Sequence, residues 1–359
     1  MSKRFYITTA IFYVNGQPHL GHAYEMILTD VIARAQRALG RETFLLTGLD
    51  EHGQKVQQAA QAEKKEPQAY CDDLAVVWQG FAAKLGLTNN DFIRTTQARH
   101  KAVVQAMLTK LHDRGEIYKA PYRGWYSGKE ETFLTEKDRQ PDGAFDPFWG
   151  SVTELVEDNW FFQMSRYQPW LIGYIEANPT FVQPDYRRNE VLGFLRHETL
   201  ADLCISRPAG RLNWGIPIPF APEWVNYVWF DALTNYYSVP AAAGDPAALE
   251  PLRGYLDIPT TDVRLWPADI HVIGKDILKF HAVFWPIMLH ATGAPLPRQV
   301  LVHGWWQKDK QKMSKFTGNV VEPGRVIDEW GLDAFRYYVL RELDIGPDGN
   351  WTDTGFADR

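Results

Sequence analysis

Cysteine is scarce in this 359-residue chain: Cys71 and Cys204 are the two present, far apart and without the paired spacing of a metal knuckle. That excludes a disulfide-stapled fold and fits a reducing cytoplasm. No apolar run approaches the ~20 residues of a membrane-spanning helix. The opening Met1-Ser2-Lys3-Arg4 runs into a strand-like stretch, so no signal peptide is expected. A cytoplasmic protein with no membrane partner follows. An excess of one charge is missing as well: 38 basic against 44 acidic residues leave a net charge of −6. Contact with nucleic acid must therefore rest on a local patch. Repeats are absent, and low complexity is confined to an Ala/Gly/Pro stretch at 239–251, expected to be a loop.

What remains is the balance of a soluble globular protein, 45% hydrophobic and 23% charged, long enough for two or three packed units. Aromatics reach 14%, with 14 Trp, more than one core usually needs. For any single Trp, core packing is the ordinary role; collectively they suggest aromatic-lined pockets.

Residues Phe5 to Tyr13 read as a buried strand, and apolar residues three or four apart from about His19 to Leu39 predict a helix capped at Gly40. Thr43 to Thr47 predicts a second strand leading through Asp50-Glu51-His52-Gly53 to another helix. Strand, helix, strand, helix reads as a parallel α/β sheet. From about Gly115 the texture changes to turn-rich short strands. The α/β rhythm returns at Tyr227, with further strands at Ile270 to Gly274 and Gln299 to Val302 and a final helix near Arg336. The expected organisation is a Rossmann-type α/β sheet in two halves, 1–114 and 226–304, split by an inserted module at 115–225 and followed by a lysine-loop segment at 305–359.

Two short motifs carry chemistry. His19-Leu20-Gly21-His22 sits where a strand gives way to a helix, and free N–H groups in a first helical turn attract anions. Two imidazoles three residues apart share a face, and Gly21 lets a flat base approach the backbone. The tetrapeptide alone reads more ordinarily as two helix-capping histidines, and a zinc pair lacks a further ligand cluster. Lys312-Met313-Ser314-Lys315 lies in a polar loop with Lys308 and Lys310. Its lysines suit the charge of a leaving pyrophosphate, or equally a solvated charge run. The pair of motifs in one split sheet is far more specific than either alone.

On these motifs the chain resembles the catalytic core of the class I aminoacyl-tRNA synthetases, most closely the methionyl-tRNA synthetases. The resemblance runs from about Arg4 to Gly349 and includes Tyr13-Val14-Asn15-Gly16, Thr47 to Gly53, Asp91 to Thr96, Ile205 to Pro208, Tyr227 to Ala232, Ile273 to Ile277, Phe280-His281, Phe284 to Pro286 and Gly318 to Val321. It implies ATP-dependent activation of L-methionine to the adenylate, with Mg²⁺, and transfer to the 3′ end of a methionine tRNA. It implies catalytic roles for His19, His22, Lys312 and Lys315. ATP contacts are implied at His19, Gly21, His22, Gly274, Asp276, Trp306 and Lys315. Ile11, Tyr13, Trp229, Ala232, Tyr236, Ile277 and His281 match positions that enclose the thioether, and Asp50 matches the carboxylate that holds the substrate ammonium.

Three departures from the family pattern stand out. Where many relatives carry a zinc knuckle, this chain has Ser127, Glu130, Asp146 and Trp149, so no zinc is expected and packing around Trp149 is expected instead. Phe316 replaces the usual Ser or Thr after the second lysine. The chain ends at Arg359, where the family continues into a helical anticodon-reading domain, and weak, anticodon-blind use of the tRNA acceptor end by a monomer is expected. Two other readings stay open: a stand-alone paralogue that adenylates methionine for a different acceptor, and a non-catalytic methionine or nucleotide-binding protein.

Overall fold

The computed structural model describes residues 3–14, 16–127, 132–134, 139–140, 142–308, 310–313 and 320–358. The first half is a run of strand and helix: β1 Arg4–Tyr13, α1 Leu20–Ala38, β2 Glu42–Asp50, α2 Gln54–Ala62, α3 Pro67–Lys84, β3 Asp91–Arg94 and α4 Ala98–Asp113. Turn-rich segments follow, with β4 Ile117–Ser127, β5 Thr132–Leu134, β6 Val152–Phe162, α5 Gln168–Ala177, β7 Val182–Gln183, α6 Asp185–His197, β8 Leu203–Cys204, β9 Ser206–Pro208, β10 Pro217–Ile218 and β11 Ala221–Asn226. The rhythm resumes with α7 Val228–Ala242, α8 Pro246–Leu249, β12 Ile270–Gly274, α9 Trp285–Thr292 and β13 Val300–His303. The chain closes with β14 Trp306–Lys308, β15 Gln311–Lys312, α10 Pro323–Trp330, α11 Leu332–Arg341, β16 Gly349–Trp351 and α12 Asp353–Ala357.

Six strands form one parallel sheet in the order β3-β2-β1-β12-β13-β7. Alternation along each strand feeds two cores. Tyr6, Ala10, Leu46, Ile273 and Val302 face α4, α7 and α9, while Ile7, Phe12, Leu45, Val272 and Leu301 face α1, α3 and α11. The edge strand β7 comes from the turn-rich region, so that region is sewn to the main sheet as well as carrying its own four-stranded sheet, β5-β4-β6-β8.

The loop expected at 239–251 is not what forms. Residues 239–242 finish α7, which carries Pro240 inside it, and α8 and a 3-10 turn at Glu250–Leu252 follow. Burial overrides local composition here: Val239, Pro240, Ala241, Ala248 and Leu249 are all packed inside. Asp245, fully buried, organises the corner by accepting N–H bonds from Ala247, Leu265 and Trp266.

At the zinc-knuckle positions, the Ser127 hydroxyl donates to the Trp149 carbonyl at 2.6 Å, and Asp146 caps the turn at Phe148 N; Glu130 lies outside the described residues. Trp149 meets the Phe148 ring edge-on at 5.1 Å, and Arg139 packs on aromatic rings of the same region. Its guanidinium lies over the rings of Trp125 (4.9 Å) and Phe145 (4.4 Å).

Candidate active site

In an open parallel sheet, ligands bind beyond the carboxyl ends of the strands, where the connections on either side of a strand pair diverge. That point falls here between β1, which is followed in space by β2 on one side, and β12 on the other. A cavity of about 450 Å³ opens there.

The register builds its floor. Tyr13 pairs with Asp50 and Ile11 with Gly48, so the last side chains of β1 and β2 end side by side. Gly53 continues the chain at φ 106°, and a Cβ there would stand 2.6 Å from the Tyr13 hydroxyl; only glycine lets the Asp50 loop close over that ring. Asp50 is 5% exposed, and its Oδ1 has no hydrogen-bond partner. Burial first, and then the charges of Asp231 and Glu51, push its carboxyl well above the usual carboxylate range. One oxygen of this buried carboxyl is thus left open to a cation in the cavity that Asp50 lines.

The N-terminus of α1 forms one wall. His19 is the N-cap: its Nδ1 accepts from Gly21 N at 3.1 Å, while His22 Nδ1 accepts from His19 N at 3.2 Å, and the two rings stack at 3.7 Å. A neutral imidazole that accepts at Nδ1 carries its proton on Nε2. Each ring thus caps the helix with one edge and carries its N–H on the other, so the capping and anion-binding readings of this motif are compatible. A Cβ on Gly21 would lie 3.1 Å from the His19 ring, so glycine is what lets that ring fold back. His22 is wedged edge-on against Phe12 and Trp78.

The opposite wall is aromatic. Trp229 and Ala232 project from the start of α7, and the Trp229 indole stacks on Phe280 at 3.5 Å with only 4° between planes. Tyr236, one turn on, donates its hydroxyl to His281 Nε2 at 2.7 Å, because His281 Nδ1–H is spent on the Ile277 carbonyl at 2.9 Å. His281 sits on a single π-helical turn, Phe280–Phe284, and burial lowers its imidazole to about 4, so it is neutral.

Gly274, which ends β12, and Asp276 and Ile277 just after it line the cavity, as does Trp306. The cavity therefore gathers every expected site residue except the two lysines. Lys312 lies on β15, its backbone paired with Gln307, at the start of the loop whose next residue, Met313, touches the cavity. Lys315, Ser314, Phe316, Gly318, Asn319 and Asn15 lie outside the described residues.

Sequence reasoning missed Glu25, His303, Trp305 and Val320 in the lining. Glu25 Oε1 accepts from Ala10 N at 2.7 Å, and its Oε2 meets His303 Nε2 at 3.0 Å. Trp305 Nε1 donates to Asp276 Oδ1 at 3.0 Å and orients that carboxylate. Among the described residues, no group of three or more His, Cys, Asp or Glu is placed to hold a metal ion.

Comparison with known proteins gives a consistent picture. Residues 5–143 and 149–359 match the family model described as tRNA synthetases class I (M). The methionine–tRNA ligase of Rickettsia conorii is 43% identical over the whole chain, and that of Rhizobium meliloti 44% identical over 99% of it. The chain spans 67% and 66% of those proteins, about two thirds of their length. A solved structure of Mycobacterium tuberculosis methionyl-tRNA synthetase in complex with methionyl-adenylate superposes with a TM-score of 0.86 at 40% identity, covering 100% of this chain and 68% of that one.

Proposed function

The chain belongs to the class I tRNA synthetases of the methionine type, and on that premise we propose that it activates L-methionine with ATP and passes the acyl group to the 3′ end of a tRNA. The observation that carries this reading is the union, in one cavity, of the Asp50 carboxylate with its unpartnered Oδ1, the aromatic wall of Tyr13, Trp229 and Tyr236, and the capped N-terminus of α1. These three features match the ammonium, the thioether and the phosphates of the two substrates.

Asp50 holds the ammonium and thereby aims the methionine carboxylate toward α1. The thioether, flexible and polarizable, lies against the rings. One carboxylate oxygen attacks the α-phosphorus of ATP. The bond from that phosphorus to the bridging oxygen breaks, and pyrophosphate leaves with its electron pair. The attacking carboxylate is already ionised, so no general base is required. Catalysis is then positioning plus stabilisation of charge by the Nε2–H donors of His19 and His22 and the dipole of α1. Lys312, on β15, and Lys315, three residues further along the sequence, complete it. Asp276, steadied by Trp305, suits the ribose hydroxyls. Mg²⁺ belongs to this reading as part of the nucleotide substrate, neutralising phosphate charge; the segment 115–225 is an inserted connective module, and 305–359, with the lysine loop, is the part that contacts the tRNA stem.

Exchange of pyrophosphate into ATP, run with each of the twenty amino acids, tests the proposal. Methionine alone is expected to support strong exchange, with slight leakage to near-isosteres, since one methylene discriminates by only ~1–3 kcal/mol. Equal rates with leucine or valine would sink the methionine assignment, and tight methionine binding without exchange would favour a sensor.

A further inference from the structure

Behind the cavity wall lies a buried cluster that the reaction above leaves unused. Asp231, in the first turn of α7, is fully buried. Its Oδ2 is 2.6 Å from His52 Nδ1 and its Oδ1 is 2.6 Å from His100 Nε2. His100 Nδ1 lies 2.9 Å from the Ser238 hydroxyl, which donates to the Thr234 carbonyl at 2.9 Å. One carboxylate thus ties together three elements: the loop two residues past Asp50, the helix between Trp229 and Ala232, and the N-terminal turn of α4.

Apolar packing would join these elements at less cost, because burying an ionised group is offset only by full pairing. The location supplies a reason for the charge. Asp50 has around it Tyr13 from β1, Glu51 and His52 from its own segment, Cys71 from α3, and Asp231 and Tyr236 from α7. Of the carboxylates among these, Glu51 is matched by Arg94 at 2.6 Å and Thr96 at 2.5 Å. Asp231 is the second fixed negative charge on that side. Burial alone would raise its carboxyl, but His52 and His100 hold it down to about 2, so it stays ionised while Asp50 is pushed up.

We propose that Asp231 is a positioning residue of the amino-acid site: clamped by His52 and His100, it fixes the Asp50 loop against the aromatic wall and supplies a buried negative charge that makes the site demand a cation. The inference rests on Asp50 being the ammonium partner. Asp231 disfavours a bare Asp50 carboxylate yet attracts an ammonium, so α-amino acids enter and deaminated analogues gain nothing from the site. It also sets the pH at which methionine binding fails, because an Asp50 that takes up a proton no longer pairs with the ammonium.

The test follows the methionine KM of pyrophosphate exchange along its acid limb. Asp231→Asn is expected to move that limb to lower pH, by about one unit for removal of a neighbouring like charge, and to raise KM on the plateau while the ATP KM holds. In His100→Gln, Asp231 keeps its charge with one donor fewer, and the limb moves to higher pH. Opposite displacements are not produced by a packing defect; an unmoved limb in both variants, or displacement in the same direction, overturns the proposal. Should Asp231→Asn fail to fold, calorimetry in buffers of different ionisation enthalpy gives the same answer: methionine binding releases protons, more in His100→Gln than in the parent, and equal release counts against the role. Asp50→Asn separates the two levels. If it leaves the methionine KM unchanged, the ammonium assignment itself fails; if it raises KM while the limb stays put in the other variants, the Asp231 inference alone fails.

Discussion

The Asp50 carboxyl is 5% exposed with one oxygen unpaired, and its raised pKa means that the folded chain holds the charge less easily than the unfolded chain does. The sign of the stability effect follows. As pH rises from the unfolded value of ~3.9 through the folded value, the folded state progressively loses stability, and the loss persists above that window. Asp50→Asn is therefore expected to melt higher than the parent at neutral pH, by the equivalent of ~1–3 kcal/mol, the cost of a buried unsatisfied group. Below the window the difference should vanish, and methionine-dependent exchange should be lost throughout. Thermal melts at two pH values check it; a variant that melts lower than the parent at neutral pH would contradict the account.

The Tyr236–His281 pair makes a second case at this scale. Tyr236 donates to His281, whose own N–H is spent on Ile277, so this pair turns no spare donor toward the ligand side chain and meets it by shape and polarizability. Tyr236→Phe strands His281 Nε2 in a buried site, and a fall of about tenfold or more in kcat/KM for methionine is expected, with the ATP KM held. Pyrophosphate exchange measures both. The walls of this site were legible as residue types at strand ends, because the two signature motifs fix where the sheet opens. Glu25 and His303 were not. A carboxylate within an amphipathic helix looks solvated until its partners, Ala10 N and a histidine 278 residues away, are brought to it.

Among the elements, α1 bears the most, since its N-terminus forms a wall of the site. Asp30, fully buried halfway along it, accepts from Arg34 at 2.7 Å, from Arg336 of α11 at 2.6 Å and from Thr88 N at 2.8 Å. Arg336 also donates to the Leu85 carbonyl. Arg336→Ala is expected to cost ~2–3 kcal/mol, somewhat below the ~3–5 of stripping a buried charge of its sole partner, and to lower the denaturation midpoint accordingly. A change within ±0.5 kcal/mol would show that Arg34 and Thr88 suffice. The helices and strands of the main sheet were readable because their apolar periods are long and regular. The stretch at 239–251 was not, since Ala, Gly and Pro signal a turn locally while Asp245 and the surrounding core impose helix. In the turn-rich region, the Arg139 guanidinium packs on the rings of Trp125 and Phe145, and Ser127 stands where relatives of the family pattern carry a thiolate. Metal analysis of the purified protein is expected to find no stoichiometric zinc, and about one zinc per chain would overturn that.

At the scale of the whole molecule, the cavity lies at the carboxyl edge of a sheet whose two faces carry separate cores, and its walls draw on both. His19, His22 and Phe12 belong to the side of α1; Trp229, Tyr236 and His281 belong to the side of α7 and α9. A ligand that spans the cavity binds the native arrangement of both layers at once. A non-hydrolysable methionyl-adenylate analogue at 100 times its Kd is expected to stabilise the protein by ~2.7 kcal/mol. The increase should appear in a single transition, visible equally by tryptophan fluorescence and by circular dichroism. Two transitions, with only one moved by the ligand, would show that the layers melt independently.

The pairing of β1 with β12, Ile7 against Ile270 and Thr8 against His271, has a temporal consequence. During synthesis β1 must wait for its central neighbour β12 until the whole turn-rich region between them has been made. At ~5–20 residues per second, that interval is roughly 15–50 seconds. Throughout it, one edge of β1 offers unpaired N–H and C=O groups flanked by apolar side chains, the kind of edge that recruits stray strands. Through that interval the sheet stands half made, as β3-β2-β1, and a chaperone that covers such an edge would find its target there.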